Sequence, residues 1–184
     1  YFMWASDHDL WHPEWLATHV EALEEHPEAV LTYPMAVAIG SGGEEVVKDG
    51  RRFDTVGMGA RERARAASTR MKGAGNMVYG LFRSAALSKT SVYPSFLMPD
   101  RLLLLELSTQ GAFHQVPRHL WYRRYPDGGP DLQGANDDYP GLIQRQRERL
   151  FPDGKAPWHS RLPTLGIALG LVLHLWSRPG QTGL

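Results

Sequence analysis

Apolar and polar positions fall into short blocks along the chain. YFMWA (1–5) is apolar and aromatic, as a buried strand is, and Ser6-Asp7-His8-Asp9 follows at once. Pro13 and Glu14 open a helical stretch in which Leu16, Val20 and Leu23 share a face, and Pro27 stops it. AVLTYPMAVAI (29–39) reads as a second strand, with Pro34 predicting an edge or a bulge. Strand, helix and strand at this spacing predict α/β organisation. In such folds, polar groups at the carboxyl end of a buried strand commonly face a ligand crevice.

The pattern loosens at 40–57, where GSGGEEVVKDG and RRFDTVG predict a hairpin or a mobile loop. Arginine-rich ARERARAASTRM (60–71) has good helix propensity; a solvated face or a surface that meets an anion or lipid would both suit it. GAGNMVYGLFRSAAL (73–87) predicts glycine-flanked backbone, a short strand NMVYGLF and a helical turn. Pro99-Asp100 starts a strong helix closed by Gly111, and AFHQVP with HLWYRRY predicts two short strands or one broken strand. A polar loop follows at 126–141, then the short helix GLIQRQRERLF. LPTLGIALGLVLHLWS (162–177) is the most apolar run, yet it is shorter than the roughly 20 residues of a bilayer span. A docked core helix, an interfacial membrane helix and a truncated span all suit it. The chain thus divides into a domain over 1–125 and a loop with helices over 126–184, the latter a candidate for membrane association.

With 184 residues, the chain suits one domain or a piece of a larger one. Its 20 basic residues balance 20 acidic ones, which argues against a protein that grips nucleic acid through a basic surface. It has no cysteine, which excludes disulfides, thiolate metal sites and cysteine nucleophiles. It begins on Tyr1 at what reads as the end of a strand, so the natural protein is expected to start earlier.

Asp7 and Asp9 flank His8 directly after the apolar block. On an extended segment their side chains point the same way and His8 points opposite. Two converging carboxylates suit Mg²⁺ or Mn²⁺, hard ions that take oxygen ligands and leave positions open for phosphate oxygens. A surface turn or structural cap is the competing role for this D-x-D.

Three blocks in order resemble family 2 glycosyltransferases of the GT-A type. SDHDLWHPEWLATHVEALEEHPEAVLTYP (6–34) is similar to the segment with the D-x-D, the W-x-P and the following helix. GNMVYGLFRSAAL is similar to the acceptor-side segment with a G-x-x-x-x-G-x-x-R element. MPDRLLLLELSTQGAFHQVPRHLWYRRY is similar to the segment that carries the catalytic aspartate. The resemblance covers roughly residues 1–125. It implies a partial GT-A fold, α/β and Rossmann-like, with a mixed sheet. It also implies transfer of a sugar, with inversion, from a nucleotide-diphosphate sugar to a saccharide or lipid-linked acceptor in cell-envelope polysaccharide synthesis.

By this resemblance Asp7 and Asp9 hold the cation, Asp9 more directly and Asp7 nearer the donor's ribose or sugar. Asp100 is the general base that deprotonates the acceptor; an ordinary helix N-cap is its competing role. Arg123 and Arg124 match basic positions near the diphosphate. Trp11 is a candidate for stacking on a sugar, against simple packing. Arg83 is a candidate for substrate contact or for pairing with Asp100. The family usually shows Glu-Asp where this chain has Pro99-Asp100, and carries a nucleobase-holding half ahead of the D-x-D where this chain has six residues. The chain is therefore expected to be a fragment, with an unpaired sheet edge. The cytoplasm, at the inner face of the membrane, is the implied location, and an oligomer is compatible with the chain. Two other readings compete: a noncatalytic domain that needs a partner or its missing half, and a metal-dependent phosphoester hydrolase in which His114 and His119 converge on the Asp-His-Asp cluster.

Overall fold

A computed structural model describes residues 1–71, 74–93, 97–125 and 139–155. The apolar run at 162–177 and most of the polar loop at 126–141 lie outside these residues.

Two parallel strands form the centre. The strand Ala29–Ile39 (β2) is buried along its whole length. This is the behaviour of a continuous apolar run covered on both faces. The strand Ala112–Arg124 (β5) runs parallel to it, from Ala29↔Ala112 to Ile39↔Arg124. The short strand Leu10–Trp11 (β1) adds antiparallel to β5 at Tyr122 and Trp121. On the other side of β2 two strands lie end to end: Leu81–Phe82 (β4) beside Leu31 and Thr32, and Glu45–Lys48 (β3) beside Val37–Ile39. The chain is thus a mixed α/β domain with an open sheet in the order β1-β5-β2-β3.

Helices cover both faces. The helix Trp15–Glu25 (α1) packs Trp15, Ala22 and Leu23 against Ala36, Val116, Leu120 and Trp121. The helix Pro99–Gln110 (α5) buries Leu103, Leu104 and Leu107 against Leu31, Tyr33 and Phe113. The helix Ala60–Thr69 (α2) lies beside α5. Two one-turn helices, Ala74–Met77 (α3) and Ser84–Leu87 (α4), flank β4, and a helix at Tyr139–Leu150 (α6) fulfils the expectation for GLIQRQRERLF. Gly111 turns α5 into β5, and a Cβ there would lie 2.3 Å from Val30 Cγ1.

Three local expectations are corrected by tertiary contacts. YFMWA is not a buried strand: Phe2 makes a single antiparallel bridge to Phe82, and Tyr1 and Phe2 are exposed. No second partner strand reaches it among the described residues, so the ladder never extends. The buried stripe of α1 is Trp15, His19, Ala22 and Leu23, while Leu16 is 55% exposed. The larger indole of Trp15 takes the inward position by packing edge-on against Trp11. NMVYGLF shrinks to the two residues of β4, because Asn76 and Met77 end α3.

Pro34 marks a bulge, as expected, in a stretch of β2 that has β5 on one side and no strand on the other. The β2–β5 register slips between Pro34↔Val116 and Met35↔His119, which skips Pro117 and Arg118. Two residues without N–H donors thus meet at one irregularity, where no ladder bond is lost. The same bulge joins AFHQVP and HLWYRRY into one broken strand.

A strap over residues 49–55 crosses one face of the sheet. It is tied to β5 through Gln115, whose side chain donates to Arg51 O (3.0 Å) and accepts from Phe53 N (3.1 Å). Tyr33 donates its hydroxyl to Phe53 O. Thr55 then pairs with Phe113 through N–H and hydroxyl, closing the edge of β5 that β1 leaves open. The excursion expected as a hairpin or mobile loop is thus a hairpin where β3 returns along β2, and its second half is fastened to β5.

Candidate functional site

The carboxyl ends of β2 and β5 lie side by side at Ile39 and Arg124, and the Ser6–Asp9 segment passes over them. Asp9 is locked there. Its carboxylate is 2% exposed. Oδ1 accepts from Arg124 N at 2.8 Å and Oδ2 from Trp121 Nε1 at 3.2 Å. Asp7 is the opposite case: its side chain is 98% exposed and touches His8 Nδ1 at 2.8 Å. That hydrogen bond holds the Asp7 carboxyl below its ordinary range.

Residues 7 and 8 form a bend, which breaks the alternation of an extended chain. The two carboxylates therefore occupy different environments and do not converge. His8, expected to point opposite, sits between them, with Nε2 3.8 Å from Asp9 Oδ1. Arg124 donates to three carbonyls, His8 O (3.0 Å), Gly40 O (3.1 Å) and Ser41 O (2.7 Å). It clamps the segment to the strand ends and commits Nε and Nη1 to backbone carbonyls.

Beside this segment opens a cleft of about 480 Å³ lined by Trp4, Ser6, Asp7, His8, Tyr79 and Tyr93, among others. Its aromatic walls are braced from within. Trp4 meets Phe82 and Tyr93 edge-on, each at 5.2 Å between ring centroids. Tyr79 packs on Trp121 at 4.8 Å, and Trp121 is the ring that Asp9 holds by its N–H. Glu106 of α5 accepts from Ser91 N (2.7 Å) and Ser91 Oγ (2.6 Å), which anchors the chain two residues before Tyr93.

Asp100 stands in the first turn of α5, which runs antiparallel to β5 and so brings its N-terminus to the same end of the sheet. The N-cap is Met98, in the left-handed region at φ 57°, and Asp100 does not fill that role. Burial pushes the Asp100 carboxyl above its ordinary range; backbone N–H groups and Arg101 oppose that push without prevailing. Burial and the Asp100 charge in turn raise the Tyr93 phenol. The cleft lining thus includes an exposed carboxylate, Asp7, and a tyrosine, Tyr93, that feels the charge of a desolvated one.

The other candidates are occupied elsewhere. Trp11 packs between Trp15 and Trp121, at 5.2 and 5.9 Å. Arg83 donates to Ala29 O (2.8 Å) and Leu23 O (2.5 Å), joining the end of α1 to the start of β2. Its guanidinium bonds lie at the amino end of β2. Arg123 donates to Asn76 Oδ1 at 2.9 Å and lies over the rings of Trp121 and Tyr125. His114 sits near the amino end of β5, bonded to Asp54 Oδ2 (2.9 Å), and His119 pairs with Met35 in the middle of that strand. Neither joins the Asp-His-Asp segment.

The donor set decides what kind of cation the site suits. Among the described residues no group of three His, Cys, Asp or Glu side chains is arranged to hold a metal. One exposed carboxylate beside an open cleft fits a hard divalent ion that arrives with phosphate oxygens and keeps several waters. It does not fit a resident centre built from protein ligands alone. Sequence reasoning missed Trp4, Tyr79 and Tyr93. Tyr79 lies inside the G-x-x-x-x-G-x-x-R element, whereas Tyr93 has no local signal and matters only through its neighbours.

Neither models of known protein families nor curated proteins match this chain. Among the described residues no helix is long and apolar enough to cross a membrane.

Proposed function

We propose that this chain carries the catalytic portion of an inverting glycosyltransferase that uses a nucleotide-diphosphate sugar. One observation carries the reading: an aromatic cleft that holds the exposed Asp7 opens beside the carboxyl ends of two parallel strands, and Tyr93 in its lining feels the charge of the desolvated Asp100. That is the usual position for ligands in open α/β sheets. Trp4, Tyr79 and Tyr93 offer flat apolar faces to the C–H faces of a sugar ring.

In this reading Asp100 takes the proton of the acceptor hydroxyl as its oxygen attacks the anomeric carbon and the nucleotide diphosphate leaves from the opposite face. The raised pKa matches that task, because a more basic carboxylate is a stronger proton acceptor. A divalent cation held by Asp7 and the diphosphate would supply charge neutralisation on the leaving group. His8 orients Asp7. Asp9 and Arg124 position the segment that carries both, a smaller role than direct metal ligation or phosphate contact. The acceptor is a saccharide or lipid-linked saccharide, and the reaction belongs at the cytoplasmic face of a membrane.

The test is thermal stability of the purified chain with Mn²⁺ and a panel of nucleoside diphosphates, beside Asp7→Asn. A ligand that binds only the native state raises the midpoint. A metal-dependent rise with one nucleotide, lost in Asp7→Asn, is expected. No rise with any nucleotide from a well-folded sample would sink donor binding by this chain.

A further inference from the structure

A second crevice opens beside the first, on the edge of β2. β4 pairs with Leu31 and Thr32 and β3 with Val37–Ile39, so the stretch between them has no strand beside it on that edge. The gap holds a cavity of about 130 Å³ between the strap and the ends of α2 and α3, with Tyr33 and Phe53 among its walls. Its charged lining is one-sided: Arg51, Arg52 and Arg70 against Asp49. Asp49 is satisfied by Arg51, at 2.7 to 3.1 Å through Nε and Nη2, and by Asn76 Nδ2 at 3.2 Å. Arg52 has no hydrogen-bond or ion-pair partner among the described residues, and Arg70 meets only Met58 Sδ at 3.8 Å. Arg52 and Arg70 therefore line one crevice with no carboxylate bonded to either among the described residues.

The crevice adjoins the cleft. Asn76, at its rim, is three residues before Tyr79 of the cleft wall, and Arg123 links Asn76 to the Trp121 ring on which Tyr79 packs. Paired guanidiniums recognise planar or tetrahedral oxyanions through forked hydrogen bonds. We infer that this crevice seats a negatively charged group of the acceptor, a carboxylate or a phosphate, through Arg52 and Arg70. The inference rests on the transferase reading, because it assigns the anion to the acceptor.

The probes are inorganic phosphate, glucuronate and uncharged glucose, titrated into the labelled full chain at constant ionic strength and followed by backbone amide shifts. Saturable shifts at Asn76 and Gln115 with one of the two anions, and none with glucose, are expected. Phosphate as the binder points to a phosphate-bearing acceptor, glucuronate to an acidic sugar. Binding should weaken on the order of tenfold in an Arg52→Gln/Arg70→Gln double variant, whose substituted side chains are exposed. Shifts that do not saturate, or that persist unchanged in a double variant of unchanged melting midpoint, overturn the inference. Nucleotide binding with Mn²⁺ is measured in parallel. Donor binding with a silent crevice sinks this inference alone. Anion binding without donor binding sinks the transferase reading, and the acceptor assignment with it.

Discussion

Asp7 and Asp9 are two residues apart and do different work. Asp9 spends its carboxylate on an indole N–H and a backbone N–H, so Asp9→Asn presents an amide N–H to one of those donors. A loss of about 1–3 kcal/mol in denaturant unfolding is expected. Asp7→Asn should leave stability unchanged, since the side chain is almost wholly in water. Asp100 obeys a third logic. Its folded pKa is raised, so the folded state holds its proton to higher pH than the unfolded chain, and ionisation at neutral pH costs stability. Asp100→Asn is therefore expected to melt at or above the parent's midpoint at pH 7. Under the proposed transferase reading it should also lose activity by at least about a hundredfold. Under the same reading, the acid limb of the parent's rate profile should be shifted upward from the ordinary carboxylate value. None of these differences is visible in D-x-D or Pro-Asp as written, because burial decides them and burial comes from β5 and α5.

At the scale of elements, glycine and proline carry the sequence's most legible instructions. The Pro99 start of α5 and the bulge at Pro34 follow from covalent restrictions, and Gly111 ends α5 where a Cβ would strike Val30 Cγ1 and Glu28 O. Gly80 is a subtler case. A Cβ there would lie 2.3 Å from Thr32 O, so the turn into β4 can approach β2 only without a side chain. Gly80→Ala is expected to lower stability by about 3 kcal/mol in chemical denaturation, with the cleft-lining Tyr79 displaced. The extent of a strand is harder to read. YFMWA and NMVYGLF have strand composition, yet a ladder lasts only as long as a partner runs beside it, and here the partners supply one bridge and two residue pairs.

At the scale of the whole molecule, the buried His19 links fold to pH. It is enclosed beneath the sheet, with Nδ1 3.0 Å from Thr32 Oγ1. Burial, helped by His114, lowers its pKa to about 3. Unfolding exposes an imidazole that binds a proton below about pH 6.5, so the unfolded state gains protons first as pH falls. Stability is expected to decline from about pH 6.5 toward pH 3, and His19→Leu should flatten that slope in urea titrations. A slope unchanged in the variant would assign the decline to other groups. The two crevices also belong to this scale. One lies where the strands end together, the other where two short strands fail to meet along β2.

The chain's own pattern determined the α/β alternation, the leucine-rich helix, the broken strand and a polar segment at the head of the fold. Those follow from local chemistry: apolar periodicity, proline and glycine. Tertiary structure alone decided which aspartate faces water, that Arg83 and Arg124 bind carbonyls, and that Tyr79 and Tyr93 wall a cleft beside Asp7. The physical reason is that solvation, and with it charge and reactivity, depends on what long-range packing places around a side chain. No window of sequence contains those neighbours.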